Sequence, residues 1–281
     1  MASDTQPSAI QIALGGWRDA WRGIPRMMSV AGPAFLLTLM LQAAYQLSRG
    51  HSEAIDLAVL FPMHSIAQGL VLTPLAIDVH RYVLLDEVAP RYALDLADAR
   101  FQRFFGLAIA IMALWWLSIG IWLILGHFVF GAPMFPGGPV TPQAIDNLGR
   151  ILLVDFVAPL VTAFVLVRVI LSIAIIFPAV AIDAPGFGWR QARDDSEGHI
   201  GRIFCAFALG FVPVLPLDAI DELIRAPQEF GLSVGPHPAF EAIGVVAQAA
   251  KSVLIVAAFA AIASRLYVIF GARLNGDAPV A

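Results

Sequence analysis

Apolar residues fall in long blocks along this chain. Six stretches hold few charges, at roughly 29–47, 57–79, 104–128, 151–176, 203–221 and 240–264. A bilayer-spanning helix takes about 20 predominantly apolar residues, so each stretch is read as a transmembrane helix. The third is the cleanest, with Trp115, Trp116 and Trp122 in an uncharged run. The fifth is the shortest, Ile203 to Leu217, and contains Pro213 and Pro216. The fourth runs on to Ile182 through Pro178. Proline removes a helical hydrogen bond and clashes with the preceding turn, which predicts a bend near Phe177–Pro178.

Ahead of these blocks the pattern changes. In 9–28, Ile10, Leu14, Trp17, Trp21 and Ile24 recur at steps of four and three, with Arg18, Arg22 and Arg26 on a neighbouring face. That periodicity predicts a helix, and tryptophan with arginine on an amphipathic helix suits a membrane interface. Gly15 and Gly16 argue against it on propensity. The expected fold is therefore all-α: a polytopic helical bundle of about six transmembrane helices with an N-terminal amphipathic interfacial helix. The expected organisation is a cytoplasmic segment 1–28, a membrane domain 29–270 and a cytoplasmic tail 271–281. Met1–Ser8 is polar and lacks the basic start of a signal peptide, so targeting is expected from the first span.

The connections differ in character. Segment 80–103 carries Leu94, Phe101 and Phe105 among charges and reads as a short surface helix. Segment 184–202 opens on a Gly-rich turn, then reads as a short polar helix over 189–197. The Pro- and Gly-rich segments 131–149 and 222–239 read as irregular loops.

Composition sharpens the class. The 281 residues are 59% hydrophobic and 14% charged, against about 25% charged in soluble domains. Six spans leave no room for a soluble catalytic domain. The net charge of −4 argues against a nucleic-acid partner. The single cysteine, Cys205, permits no internal disulfide and no cysteine-based zinc site.

Charge placement gives an orientation. With six spans, one side holds Arg18, Arg22, Arg26, Arg81, Arg91, Arg100, Arg103, Arg190, Arg193, Arg202, Arg265 and Arg273. The other holds Arg49, Arg150 and Arg225. The positive-inside rule then puts both termini in the cytoplasm. Arg168 and Lys251, the chain's single lysine, fall inside spans.

Motifs for chemistry are mostly missing. There is no phosphate-binding loop, no dinucleotide fingerprint and no His-Glu-x-x-His pair, and the six histidines are scattered singly. No metal and no cofactor is expected. Gly231-Leu-Ser-Val-Gly235 has the spacing of a serine nucleophile elbow, with His237 nearby. That chemistry needs a strand-to-helix turn, and no strand precedes this Pro-rich segment. A turn is the simpler reading of Ser233.

Ionisable groups in a bilayer are costly, so they are usually paired or functional. Lys251, Asp155, Asp218 and His64 can share one depth band in the outer half of the membrane. They form a candidate intramembrane polar cluster, either a structural ion pair or a substrate or proton site. Arg168, Arg81 and His80 lie toward the cytoplasmic ends of their spans. They are candidates for lipid headgroup contact or for structural pairing with Asp78 and Asp183.

Two stretches carry a resemblance. One is His80-Arg81-Tyr-Val-Leu84-Leu85-Asp-Glu87. The other is Arg168 followed by Phe177-Pro178-Ala-Val-Ala-Ile-Asp183, then Gly186, Ala192 and Gly198. With the N-terminal helix and Arg265-Leu-Tyr267, this outline resembles bacterial polytopic membrane proteins that include those similar to the membrane domain of glycerophosphoryl diester phosphodiesterase. The resemblance implies a six-span helical domain in a bacterial inner membrane. Phosphodiester chemistry in that family belongs to a separate soluble domain, so it implies no catalytic residue here. The expected role is non-enzymatic, accessory or lipid-associated, with anionic headgroups of the cytoplasmic face as partners. A small transporter or channel built on Lys251, Asp155 and Asp218 is the alternative, and an intramembrane hydrolase using Ser233 comes third.

Overall fold

The computed structural model of the chain describes residues 7–48, 59–130, 158–217, 219 and 238–275. The regular elements among them are helical: α1 Ala9–Arg26, α2 Met28–Ser48, α3 Phe61–Leu85, α4 Ala99–Phe130, α5 Ala158–Ile173, α6 Ile176–Ala181, α7 Trp189–Ser196, α8 Ile200–Phe211 and α9 Pro238–Phe270. A 3-10 turn, Val212–Val214, follows α8.

Four segments are long and apolar enough to cross a membrane: Met28–Ser48, Ala99–Ser118, Ile200–Leu217 and Ala242–Phe270. They match the first, third, fifth and sixth expected spans. The second expected span is a continuous helix, α3, but His64, Gln68, Asp78, His80 and Arg81 dilute its apolar character. The fourth is described from Ala158 on, and its apolar part, Leu166–Ala181, is shorter.

Proline effects vary with position. α5 ends at Ile173 and α6 starts at Ile176, so the break lies a turn before Pro178 rather than at it. The Pro178 ring opposes the carbonyl four residues back, at Ala174. Pro74, by contrast, sits inside an unbroken α3. No separate helix forms in 86–98, contrary to the expected surface helix. Asp86 ends α3 in the left-handed region at φ 53°, and Phe101 and Phe104 belong to the first turns of α4. The expected polar helix appears as α7.

α9 is the axis of the assembly. Its span is 61% buried, against 11–22% for the other three. It packs against α1, α2, α3, α6 and α8. Ala257, Ala258, Ala261, Ile262 and Leu266 are fully buried, so small residues around the helix let neighbours approach closely.

α1 shows why glycine belongs there. Its start is a capping box: Ser8 Oγ accepts from Gln11 N at 3.3 Å, and Gln11 Oε1 accepts from Ser8 N at 2.8 Å. A Cβ on Gly16 would lie 3.0 Å from the Ile262 backbone, and one on Gly15 would lie 2.8 Å from Arg265 Nε. The glycines that weaken α1 as an isolated helix are what let it lie against α9. From α8, Gly210 closes on the Ile262 side chain as well. Trp17 Nε1 donates to the Gly210 carbonyl at 2.8 Å. Ile262 is thus held in a pocket walled by glycines of two helices.

Candidate functional site

With its Gly/Ala face committed to the bundle, α1 presents the opposite face outward. Ile10, Leu14 and Trp21 are 57%, 62% and 71% exposed. Arg18 and Arg22 are exposed on the flank of that stripe. On a helix of about 100° per residue these five positions cover one continuous arc. Trp17 and Ile24, expected on the same face, are half-buried against the bundle.

The arginines divide into two sets. One set ties elements together. Arg265 grips Asp19 through two hydrogen bonds, Nε to Oδ2 at 2.6 Å and Nη2 to Oδ1 at 3.0 Å. Arg81 pairs with Glu87 and donates to the Ala181 carbonyl at 3.3 Å. Arg100 Nε meets Asp183 Oδ2 at 2.9 Å, and Arg103 lies 3.6 Å from the same carboxylate. Arg273 reaches Asp194 at 2.5 Å, and Arg26 lies 3.8 Å from Asp86. Among the described residues, Arg18, Arg22, Arg91, Arg168, Arg190 and Arg193 show no side-chain ion pair or hydrogen bond, and all six are exposed.

This separates the three candidates for headgroup contact. Arg168 is exposed. Arg81 is occupied by Glu87 and the α6 carbonyl. His80 is 2% exposed and faces inward, its Nδ1 2.8 Å from Ser264 Oγ and its ring 5.7 Å from Phe104. Asp183, expected near this level, is brought to α4 instead. Arg18 and Arg22 were legible as a basic face of α1, yet the charge they present outward is clear only once α1 is docked.

The intramembrane cluster is described in part. Asp155 and Asp218 lie outside the described residues, as do Ser233 and His237. His64 is half-buried and stacks on Tyr45, ring centroids 4.6 Å apart. Lys251 is half-buried on α9. Its neighbour Ser252 accepts a hydrogen bond from Gln68 Nε2 at 2.7 Å and donates to the Gln248 carbonyl at 2.9 Å. This polar seam joins α3 to α9, and sequence reasoning did not pair Gln68 with Ser252. Two residues of opposite helices can be paired only when the register is known.

Two cavities lie elsewhere in the bundle, one beside Arg265 and one beside His80. One, of 540 Å³, lies under α1 and is lined by Ile12, Asp19, Tyr82, Asp86, Arg265 and Val268 among others. The other, of 440 Å³, is an open crevice between α3, α4, α5, α6, α8 and α9. Its walls are apolar, including Phe104, Phe177, Phe204 and Phe259, with His80 as the polar exception. Lys251 lines neither. Among the described residues no group of His, Cys, Asp and Glu is placed to hold a metal ion.

Fold and site together define a helical membrane protein. No protein-family model matches the chain, and neither a curated protein nor a solved structure is detectably similar to it.

Proposed function

We propose that this is a non-enzymatic, lipid-associated protein of the bacterial inner membrane, with six spans and both termini in the cytoplasm. In this reading α1 lies at the cytoplasmic interface, its apolar stripe among acyl chains and its arginines at the phosphates. The observation that carries it is the outward arc of α1, where Ile10, Leu14 and Trp21 are exposed beside Arg18 and Arg22. Attraction of a basic residue to an anionic leaflet is worth about 1 kcal/mol, and the arginines already tied to carboxylates have little left to give. Arg168 adds a further exposed charge.

The test is lipid enrichment. Protein in nanodiscs of mixed phosphatidylglycerol and phosphatidylcholine should retain phosphatidylglycerol preferentially in its bound shell. Replacing Arg18, Arg22 and Arg168 by Gln should abolish that preference. Unchanged enrichment would sink the reading.

A small transporter or channel is the second reading, favoured by the Gln68–Ser252 seam beside Lys251. Proteoliposomes should then show a solute flux that Lys251→Ala removes.

A further inference from the structure

The apolar crevice holds one polar anomaly. His80 lines it, is almost wholly buried, and uses Nδ1 for Ser264 Oγ at 2.8 Å. Its second ring nitrogen, Nε2, has no hydrogen-bond partner among the described residues. A buried polar atom left unpaired is costly, and native structures leave few of them.

The serine bears on which tautomer is present. Ser172 and Ser252 give their hydroxyl protons to the carbonyl one turn back, Arg168 O and Gln248 O. Ser264 makes no such bond among the described residues. When Ser264 gives its proton to His80 Nδ1, both groups are paired. A neutral imidazole that accepts at Nδ1 carries its own proton at Nε2. His80 is the one polar residue lining the crevice, whose walls are otherwise aromatic and aliphatic.

We propose that this crevice binds one acyl chain of an ester-linked glycerolipid, with the ester carbonyl accepting from His80 Nε2–H. The proposal rests on the lipid-associated reading and deepens it. The volume of 440 Å³ sits at the small end of ligand pockets, about 300–1,000 Å³. That suits one slender chain rather than two, and the walls offer no charge to hold a headgroup inside. Depth agrees: His80 is five residues before the end of α3 at Leu85, or about 7 Å at 1.5 Å per residue. In a helix ending at the membrane surface, that is the level of the glycerol esters rather than of the bilayer centre.

The experiment compares two photo-reactive probes in full-length protein reconstituted in nanodiscs. Both are phosphatidylglycerols with a diazirine in the acyl chain; one is ester-linked and the other is its ether-linked analogue without the carbonyl. Labelled sites are mapped by mass spectrometry. The expected result is labelling concentrated on crevice residues such as Phe204, Phe207 and Phe259, with the ester probe ahead on the order of fivefold, the worth of one hydrogen bond. His80→Phe should keep the labelling but erase the ester preference. Ala208→Phe, an exposed position on the crevice wall, should block the labelling without touching His80. Equal labelling by the two probes in the parent protein would overturn the proposal. So would labelling spread over all lipid-facing helices and insensitive to Ala208→Phe. Phosphatidylglycerol enrichment in the same nanodiscs reports on Arg18, Arg22 and Arg168. If enrichment persists while crevice labelling fails, the crevice is wrong and the lipid-associated reading stands. If enrichment also fails, both fall.

Discussion

The two halves of α9 are built differently. From Ala257 to Leu266 nearly every residue is buried, and the partners approach through Gly15, Gly16 and Gly210. Toward the N-terminal end Ile243 and Val246 are about half exposed, and the described polar tie to α3 is one Gln68–Ser252 hydrogen bond. One half is held by shape, with backbones in near contact. The other lacks that close approach, and a side chain reaches across a looser seam. In a bilayer, lipid tails are as apolar as leucine, so close packing and interhelical hydrogen bonds are the forces left to join helices. The C-terminal half adds the contacts of Ser264 with His80 and of Arg265 with Asp19 to its close packing, which makes it the scaffold on which α1 rests.

The largest expected effect comes from filling that close approach. Gly16→Leu places a side chain where Ile262 backbone atoms lie 3.0 Å from the first added carbon. Overpacking of this kind costs roughly 1–3 kcal/mol, and α1 should lift off α9. Thermal unfolding in detergent should show a clear fall in Tm, and Trp17 should lose its contact with Gly210. Gly201→Ala is the control, since open space surrounds that position in α8. It should be neutral or stabilising by up to about 1 kcal/mol. Equal losses at both positions would refute the contrast between tight and open packing.

Next comes the Asp19–Arg265 clamp. It is bidentate and partly buried, at 22% and 38% side-chain exposure. Such a pair falls between exposed pairs at about 0–1 kcal/mol and buried ones at about 3–5 kcal/mol when one partner is removed. Asp19→Asn should cost about 1–2 kcal/mol. In a double-mutant cycle with Arg265→Gln, the second change should add little. Additive losses would mean that the two side chains do not act as a pair.

These two tests bear on what the sequence could reveal. The helical class and four membrane-capable helices follow from block lengths of apolar residues, which need no knowledge of neighbours. α1 was legible from periodicity, and α7 from a polar run after a Gly-rich turn. The direction of α1 was not: its sequence displays an apolar stripe through Trp17, Trp21 and Ile24, yet the buried face is the one with Ile12, Gly16, Ala20 and Gly23. A helix that docks by close approach buries its smallest side chains, and hydrophobicity alone does not mark them. The arginines show the same limit. Arg81 and Arg168 look alike in sequence, but one is committed to Glu87 and the other is exposed. His80 reads as a polar residue at the end of a span, and only the register of α3 against α9 sets it opposite Ser264.

The looser half of α9 should answer more weakly. Gln68→Leu removes the bond to Ser252 but leaves that hydroxyl its own carbonyl, Gln248 O. Interhelical hydrogen bonds in membranes average about 0.6 kcal/mol. A fall in Tm of a degree or two is expected, well below that of Gly16→Leu. A loss as large as at Gly16 would erase the difference between the halves.

The smallest effect lies beyond the end of α9, where the chain is fastened to α7. Asp195 accepts from the backbone N–H of Arg273 at 3.2 Å and of Leu274 at 3.1 Å. Burial pushes the Asp195 carboxyl above its ordinary value, and the two backbone donors and Arg273 only partly offset that. The folded protein therefore holds this proton more tightly than the unfolded chain does. The stability it contributes is present below the ordinary carboxylate pKa near 3.9 and is lost as pH rises through the elevated folded value. Asp195→Asn cannot ionise and should not show that loss. The Tm difference between the parent and Asp195→Asn, followed from about pH 3 to pH 7 in detergent, should shift in favour of the variant as pH rises. A shift in the opposite sense would mean that the backbone donors outweigh burial. The anchor would then be strongest at neutral pH, and the end of α9 would be fastened by charge rather than by packing.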